Sequence, residues 1–318
     1  MKHKQKNVLF LAISILLLGG LIMWKSSGEN VSSGNKKNNE PVGKKIEMNE
    51  YEKENYVSVQ EYTGEGFTLR NANPKTGEIA EANREKLEKA VKDFFLEDYK
   101  TEVKVHNIVS AMDGVSVFVE SIGEPHFYAF AIVPVDVENE VVKTDSVWSQ
   151  EGQVESAIRS GLYVMAYEEE FAKLDEFLEG IEAEYPIVGM NIEVAAKTHG
   201  NGYHTPYYFS KATFDPMYEE YSRNSEITRE DLRTFLEDNG FQPFGMARVS
   251  IRFYMEESNS KPDENIYDEI YSKLEKIQGI PKGHYTLILN DNYIDRTSAI
   301  GEKENTIDKT SPNRIEKK

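Results

Sequence analysis

The chain opens with an unbroken apolar run from Val8 to Trp24, relieved only by Ser14 and the pair Gly19–Gly20. As a helix it would span about 25 Å, the thin end of bilayer hydrocarbon. From Ser26 to about Tyr51 the apolar pattern gives way to Ser, Gly, Asn and Lys with Pro41, the composition of a flexible tether. Periodicity returns between about Tyr56 and Ile300. In Glu78–Tyr99, Ala80, Leu87, Ala90, Val91, Phe94 and Phe95 recur among charges, which predicts one long amphipathic helix. The period then drops to two. Val103 and Val105 alternate with polar neighbours, Asp113-Gly114 supplies a turn, and Val115, Val117 and Val119 alternate again. A break at Gly123-Glu124-Pro125 precedes the apolar stretch Phe127 to Val135. This predicts a three-strand antiparallel meander with the helix on one face.

Helical spacing resumes in Gln153 to Met165 and Tyr167 to Glu184, where Leu162, Met165, Leu174, Leu178 and Ile181 share a stripe and Pro186 is the stop. The nine residues THGNGYHTP (198–206) read as a loop. Short helices are predicted at Pro216–Tyr221 and Thr228–Asp238, the second with Thr228 and Asp231 as an N-terminal capping pair and Gly240 at its end. Ala247–Met255 reads as a strand, Asp263–Gln278 as an amphipathic helix and Tyr285–Leu289 as a last strand. Without strict strand–helix alternation the fold class is α+β: helix plus antiparallel meander in the N-terminal half, helices with further strands in the C-terminal half. A break near Pro186–Pro206 allows two subdomains. Residues 301–318 are polar and aperiodic, and are expected to fray.

Charge adds a direction to this outline. Lys and Arg number 37 against 55 Asp and Glu, a net −18 with a pI near 4.9. Lys2, Lys4, Lys6 and Lys25 put +4 on residues 1–28, leaving −22 on the remainder. Such a balance argues against a nucleic-acid partner. The basic start instead suits a cytoplasmic stub (1–7), followed by a membrane anchor or signal segment (8–24) and a tether (25–55). Beyond these lie an extracytoplasmic domain (56–300) and a polar tail (301–318). The alternative is secretion after cleavage at Ser26-Ser27-Gly28, while a cytosolic core helix would need a polar face that this run lacks. With no Cys there is no disulfide, thiolate chemistry or lipidated cysteine.

Candidate chemistry is sparse. His199 and His204 flank glycines at a spacing that lets both reach one metal, with Tyr203, Tyr207 and Tyr208 as an aromatic wall; a surface turn is the plainer reading. Tyr203, His204, Tyr207 and Tyr208 are therefore the candidate binding residues, and His199 with His204 the alternative metal pair. Glu168–Glu184 carries eight carboxylates and Lys173, without the alternate spacing of a calcium loop. No nucleophile elbow, phosphate loop or dinucleotide fingerprint is present. The two SxxK matches, Ser33 with Lys36 and Ser258 with Lys261, lack their partner motifs. His106, within a strand pattern, and His126, at a strand start, read as structural, and His284 supports no separate role. No catalytic residue and no cofactor is expected.

Four stretches carry a resemblance: YVSVQEYTGEGFTLR (56–70), VFVESIGEPHFY (117–128), WSQEGQV (148–154) and IPKGHYTLILND (280–291). In order and spacing they resemble a family of lipoproteins of unknown function from Gram-positive bacteria. The resemblance implies an extracytoplasmic, membrane-attached protein and no activity. In the lipoproteins a Leu-small-small triplet precedes the lipidated Cys; here Leu18-Gly19-Gly20 is followed by Leu21, so a peptide anchor is expected in place of the lipid. The expected function is non-enzymatic binding at the cell envelope, of a protein, peptide or wall-derived ligand. The alternative is an extracytoplasmic hydrolase acting on a wall or peptide substrate.

Overall fold

The structure, a computed structural model, describes residues 48–310 and 314–318. The basic stub, the apolar run with Leu21, the Gly28 cleavage point and the tether as far as residue 47 lie outside the described residues. Order begins earlier than the tether prediction placed it. Asn49 and Glu52 exchange side-chain and backbone bonds in a capping box that starts α1 (Glu50–Asn55), which leads into β1 (Tyr56–Ser58).

The long helix predicted over Glu78–Tyr99 is two: α2 (Pro74–Ala82), started by Asn73 and Pro74, and α3 (Arg84–Tyr99). The interruption is Asn83, whose side-chain amide donates to the Ile79 carbonyl at 2.9 Å and competes with the helical ladder. The meander follows as β2 (Val103–Ser110), β3 (Gly114–Ser121) and β4 (Tyr128–Asp136), with the short β5 (Val141–Val142) on β4. Next come α4 (Gln153–Ala166), α5 (Glu168–Glu184), β6 (Ile187–Val188) and α6 (Ile192–Thr198).

The stretch 198–206, predicted as a loop, contains a strand, β7 (Asn201–His204), which pairs with β4 and with β8 (Tyr208–Ala212). Its glycines have a packing role rather than a turn role. A Cβ on Gly200 would stand 2.6 Å from the Phe130 ring, and Gly202, at φ +152, would meet Phe209 at 2.8 Å. The remainder is α7 (Asp215–Arg223), α8 (Arg229–Asp238), an irregular turn α9 (Pro243–Met246), β9 (Ala247–Met255), α10 (Glu264–Lys276), β10 (Gly283–Asn290), β11 (Tyr293–Asp295) and β12 (Ile315–Lys317).

The fold is α+β. One mostly antiparallel sheet runs β12-β10-β9-β8-β7-β4-β3-β2, with β6 on β9, and continues across the suspected subdomain break. Among the described residues only β9 and β10 pair in parallel, joined through α10, while β1 and β11 form a separate ribbon. Period-two alternation sorts the faces. Val115, Val117 and Val119 of β3, Val249 and Ile251 of β9, and Leu287 and Leu289 of β10 share one core with Leu87, Val91, Ile158, Leu162, Leu174, Leu178, Leu232 and Ile270 of the helices. The opposite face is covered more thinly, by α6 and the 59–67 segment. There Tyr128 packs on Ala195 and Ala196, while Val59 and Tyr62 join Val194, Tyr254 and Ile294.

Residues 302–310 and 314–318 do not fray. Ile307 bridges Leu289, buried Thr310 accepts from the Leu287 amide, and Lys317 of β12 donates to the Glu275 and Ile277 carbonyls at the end of α10. Side-chain bonds rather than apolar periodicity hold this segment, which is why its composition reads as a tail. Its main pin is Lys303, which pairs with Asp291 at 1% exposure and lies over the Tyr56 and Tyr293 rings, with Asn305 Nδ2 2.9 Å from the same carboxylate. Removing the cation strands a buried charge. Lys303→Met is expected to lower unfolding free energy by about 3 kcal/mol. The double variant Asp291→Asn/Lys303→Met should recover part of that loss in urea melts.

Candidate functional site

Successive residues of a strand face opposite ways, so β7 splits the predicted binding quartet. Tyr203, Tyr207 and Tyr208 lie on the helix-covered face, and Tyr203 and Tyr208 pack against Phe171 of α5 with ring centroids 6.3 and 6.0 Å away. Tyr207 is engaged elsewhere: its hydroxyl donates to Glu182 at 2.5 Å and its ring leans on Phe253. His204 turns to the thin face, stacked on Phe209 at 4.7 Å and edge-on to His199 at 4.9 Å. The two histidines do neighbour one another. Among the described residues, however, no group of three His, Cys, Asp or Glu is placed to hold a metal ion.

On the helix side Tyr203 borders a cleft of about 260 Å³ between α4, α5 and the 124–126 turn, lined also by Glu124, His126, Glu168, Phe171 and Asp175. Gly161 lets α4 approach the turn, since a Cβ there would stand 2.5 Å from the His126 carbonyl oxygen. At the rim Arg229 of α8 pairs with both Glu124 and Glu168. Asp175 has no such cation, and makes no ion pair among the described residues. Its Oδ1 is buried, and so is the hydroxyl of Tyr208, whose side chain is 3% exposed. The two groups face each other, and a hydrogen bond between them works against the burial that raises the Asp175 carboxyl. Burial holds the Asp175 carboxyl above the usual carboxylate range, and burial together with the Asp175 charge pushes the Tyr203 phenol up to about 12.

His126 ties the cleft to a polar cluster. Glu120 Oε1 lies 2.9 Å from His126 Nε2, and Oε2 lies 2.6 Å from His106 Nε2. An ionised carboxylate only accepts, so both Nε2 atoms carry protons and the Nδ1 of a neutral His126 keeps its lone pair. Burial alone would raise the Glu120 carboxyl; the hydrogen bonds from His126 and His106 outweigh it and hold the group below its ordinary range. The cluster was not visible in sequence, because it needs the β2–β3 register and the turn after Pro125. Glu120 pairing across to Tyr128 at the mouth of β4 is the only local hint. Asp175 was missed for another reason: it is one of eight carboxylates on its helix, and nothing local separates it from the other seven.

A larger cavity, about 940 Å³ between α8, α9, α10 and β12, is lined by charges that are mostly spent on each other. Arg233 bonds Glu170 and Glu237, and Lys318 bonds Glu316. On the thin face Arg252 pairs with Glu302 at 2.5 Å near His199 and His204. Thr198 Oγ1 gives its proton to the Val194 carbonyl at 2.7 Å, so His199 Nδ1, 2.8 Å away, must be the donor to it.

The chain belongs to DUF1672, a family of proteins of unknown function, whose profile matches residues 49–317. The structure is similar to a crystal structure of a DUF1672 family protein from Staphylococcus aureus subsp. aureus Mu50. The two share 22% identity at a TM-score of 0.67, covering 80% of this chain and 96% of that one. At that identity the likeness speaks for the fold alone. No curated protein matches. Among the described residues no helix is long and apolar enough to cross a membrane.

The buried histidines make stability depend on pH. Burial, reinforced by the Arg252 charge, lowers His199 from 6.5 to about 4, and His204 is lowered in the same direction. Between pH 6.5 and about 4 the unfolded chain binds a proton that folded His199 refuses. Stability from this source is complete above pH 6.5 and falls on acidification, at most about 1.4 kcal/mol per pH unit for one group. Urea midpoints measured at pH 7 and pH 5 should therefore drop less for His199→Asn than for the parent.

Proposed function

We propose that this chain is a membrane-tethered, extracytoplasmic binding protein of the cell envelope, with the Asp175–Tyr203 cleft as its ligand site. One observation carries the site: an open cleft brings the carboxylates of Glu124, Glu168 and Asp175 together with His126 and the rings of Phe171 and Tyr203. Of the sequence-predicted quartet, Tyr203 lines this cleft and Tyr208 stands behind it. The apolar run 8–24, its basic flank and the acidic remainder support the location, with Leu21 in place of a lipidated cysteine. The ligand is an envelope protein, a peptide or a wall-derived small molecule.

A second reading, an extracytoplasmic hydrolase, draws on His126 and Asp175. An imidazole held through Nε2 by Glu120, with Nδ1 left as a base, lines the same cleft as a carboxyl whose pKa is raised.

Protease added to intact cells should remove an epitope on the 48–318 portion; survival of that epitope until lysis would overturn the location. Cross-linked capture from intact cells should fall at least tenfold for Asp175→Ala and for Tyr203→Ala. Unchanged capture in both would overturn the site. Turnover of a peptide or wall fragment by the purified chain, lost in His126→Gln, would favour the hydrolase reading, and absence of any turnover in the parent would count against it.

A further inference from the structure

The thin face of the sheet, which α6 and the 59–67 segment cover over Tyr128 and Tyr254, is partly open to solvent elsewhere. There three cross-strand neighbours form a basic row: Lys211 of β8, Arg248 of β9 and His284 of β10. Alternation puts all three on the thin face, because Ala212, Val249 and Tyr285 beside them point into the helix-side core. Arg248 is exposed, and among the described residues neither it nor Lys211 makes an ion pair. Glu316 of β12, next in the row, is taken by Lys318. Like charges directly opposite one another in a sheet repel. The row keeps two of them on a chain that carries −22 beyond residue 28, and an anionic partner would relieve the repulsion.

An apolar group stands beside the row. Phe244, 42% exposed in the α9 turn, has its ring 4.8 Å from the His284 ring and 5.4 Å from the Lys318 ammonium. A soluble polyanion would use the cations and leave Phe244 wet. A bilayer uses both, since its anionic headgroups take the cations and its acyl boundary takes the ring. The point of attachment favours the same partner. The β1–β11 ribbon, next to the start of the domain at Asn49, packs on Tyr254, which shares the thin face with Arg248 and lies ~20 Å along β9 from it. Building on the proposed membrane tethering, we infer that the domain docks on an anionic phospholipid surface through Lys211, Arg248 and Phe244. The row then sets orientation, because the acidic remainder of the chain is repelled by such a surface and this face is drawn to it. Docked in this way, the cleft between α4, α5 and the 124–126 turn is on the side of the sheet away from the lipid.

The chain has no cysteine, so a single introduced one can carry a fluorophore. The full-length chain is reconstituted into phosphatidylcholine vesicles with or without phosphatidylglycerol, all containing a lipid with a nitroxide on its headgroup. The label is placed at Gln242→Cys, beside Phe244, or at Glu179→Cys, exposed on α5. In the anionic vesicles the label at 242 should be quenched severalfold more than the label at 179, and the difference should vanish without phosphatidylglycerol. Lys211→Glu/Arg248→Glu should abolish the difference, and the milder Arg248→Gln and Phe244→Ser should each reduce it; circular dichroism confirms that each variant folds. Equal quenching at the two positions, indifference to phosphatidylglycerol, or no loss in the charge-reversed variant overturns the inference. Saturable binding of polyphosphate that the charge reversal removes, without quenching specific to 242, reassigns the row to a soluble polyanion and overturns it as well. Proteolysis of the epitope on intact cells without that quenching would sink this inference and leave the proposed location intact. Quenching at 242 with an epitope protected until lysis would do the reverse.

Discussion

Four residues hold the sheet together. On one side β7 pairs with β4 through Tyr128–Gly202 and Ala129–Asn201, and on the other with β8 through Tyr203–Ser210 and His204–Phe209. Among the described residues no other strand joins the meander half to the β8–β9–β10 half. The closeness that makes this possible is steric, since the backbone at 200 and 202 runs against Phe130 and Phe209 with no room for a Cβ. The Gln153 amide at the start of α4 fixes the Gly200 carbonyl as well. Because β7 is clamped from both sides, the direction of Tyr203 is set by sheet geometry rather than by a loop. The cleft inherits that rigidity.

The molecule treats its buried carboxylates unequally. Asp291 is compensated in full, by Lys303, Asn305 and the Tyr293 amide. Glu120 is shared by two imidazoles, and Glu302 is matched to Arg252. Asp175 differs in kind: it makes no ion pair among the described residues, its buried neighbour is the Tyr208 phenol, and it lies next to space and aromatic surface.

Legibility in the sequence followed the kind of force involved. Segments defined by apolar periodicity were readable: the meander of Val115, Val117 and Val119, the Leu174–Leu178–Ile181 stripe of α5, and the α10 helix before the last long strand. Segments defined by polar side-chain bonds were not. Asn83 cuts a continuous amphipathic pattern, and 303–317 is held by Lys303, Thr310 and Lys317 among residues whose composition suggests a tail. The stretch 198–206 misled because its glycines serve close approach, which looks like turn chemistry until the neighbouring strands are in place. Of the site, Tyr203 and Tyr208 were named and share a face, whereas His204 fell on the other side because a strand, not a loop, carries them. Asp175, Glu120 and His126 acquire meaning only from neighbours that the folded sheet and helices bring to them.

The β1–β11 ribbon has a mechanical consequence. Any tension reaching the domain from the residues before Asn49 enters through α1 and β1. Those elements are fastened by a three-residue antiparallel pairing with β11 and by the Tyr51 hydroxyl on Asp295. The ribbon is not part of the ten-stranded sheet. A pull would therefore peel β1 from β11 pair by pair before loading β7, so the ribbon acts as a compliant fuse, and the cleft keeps its shape while the attachment gives.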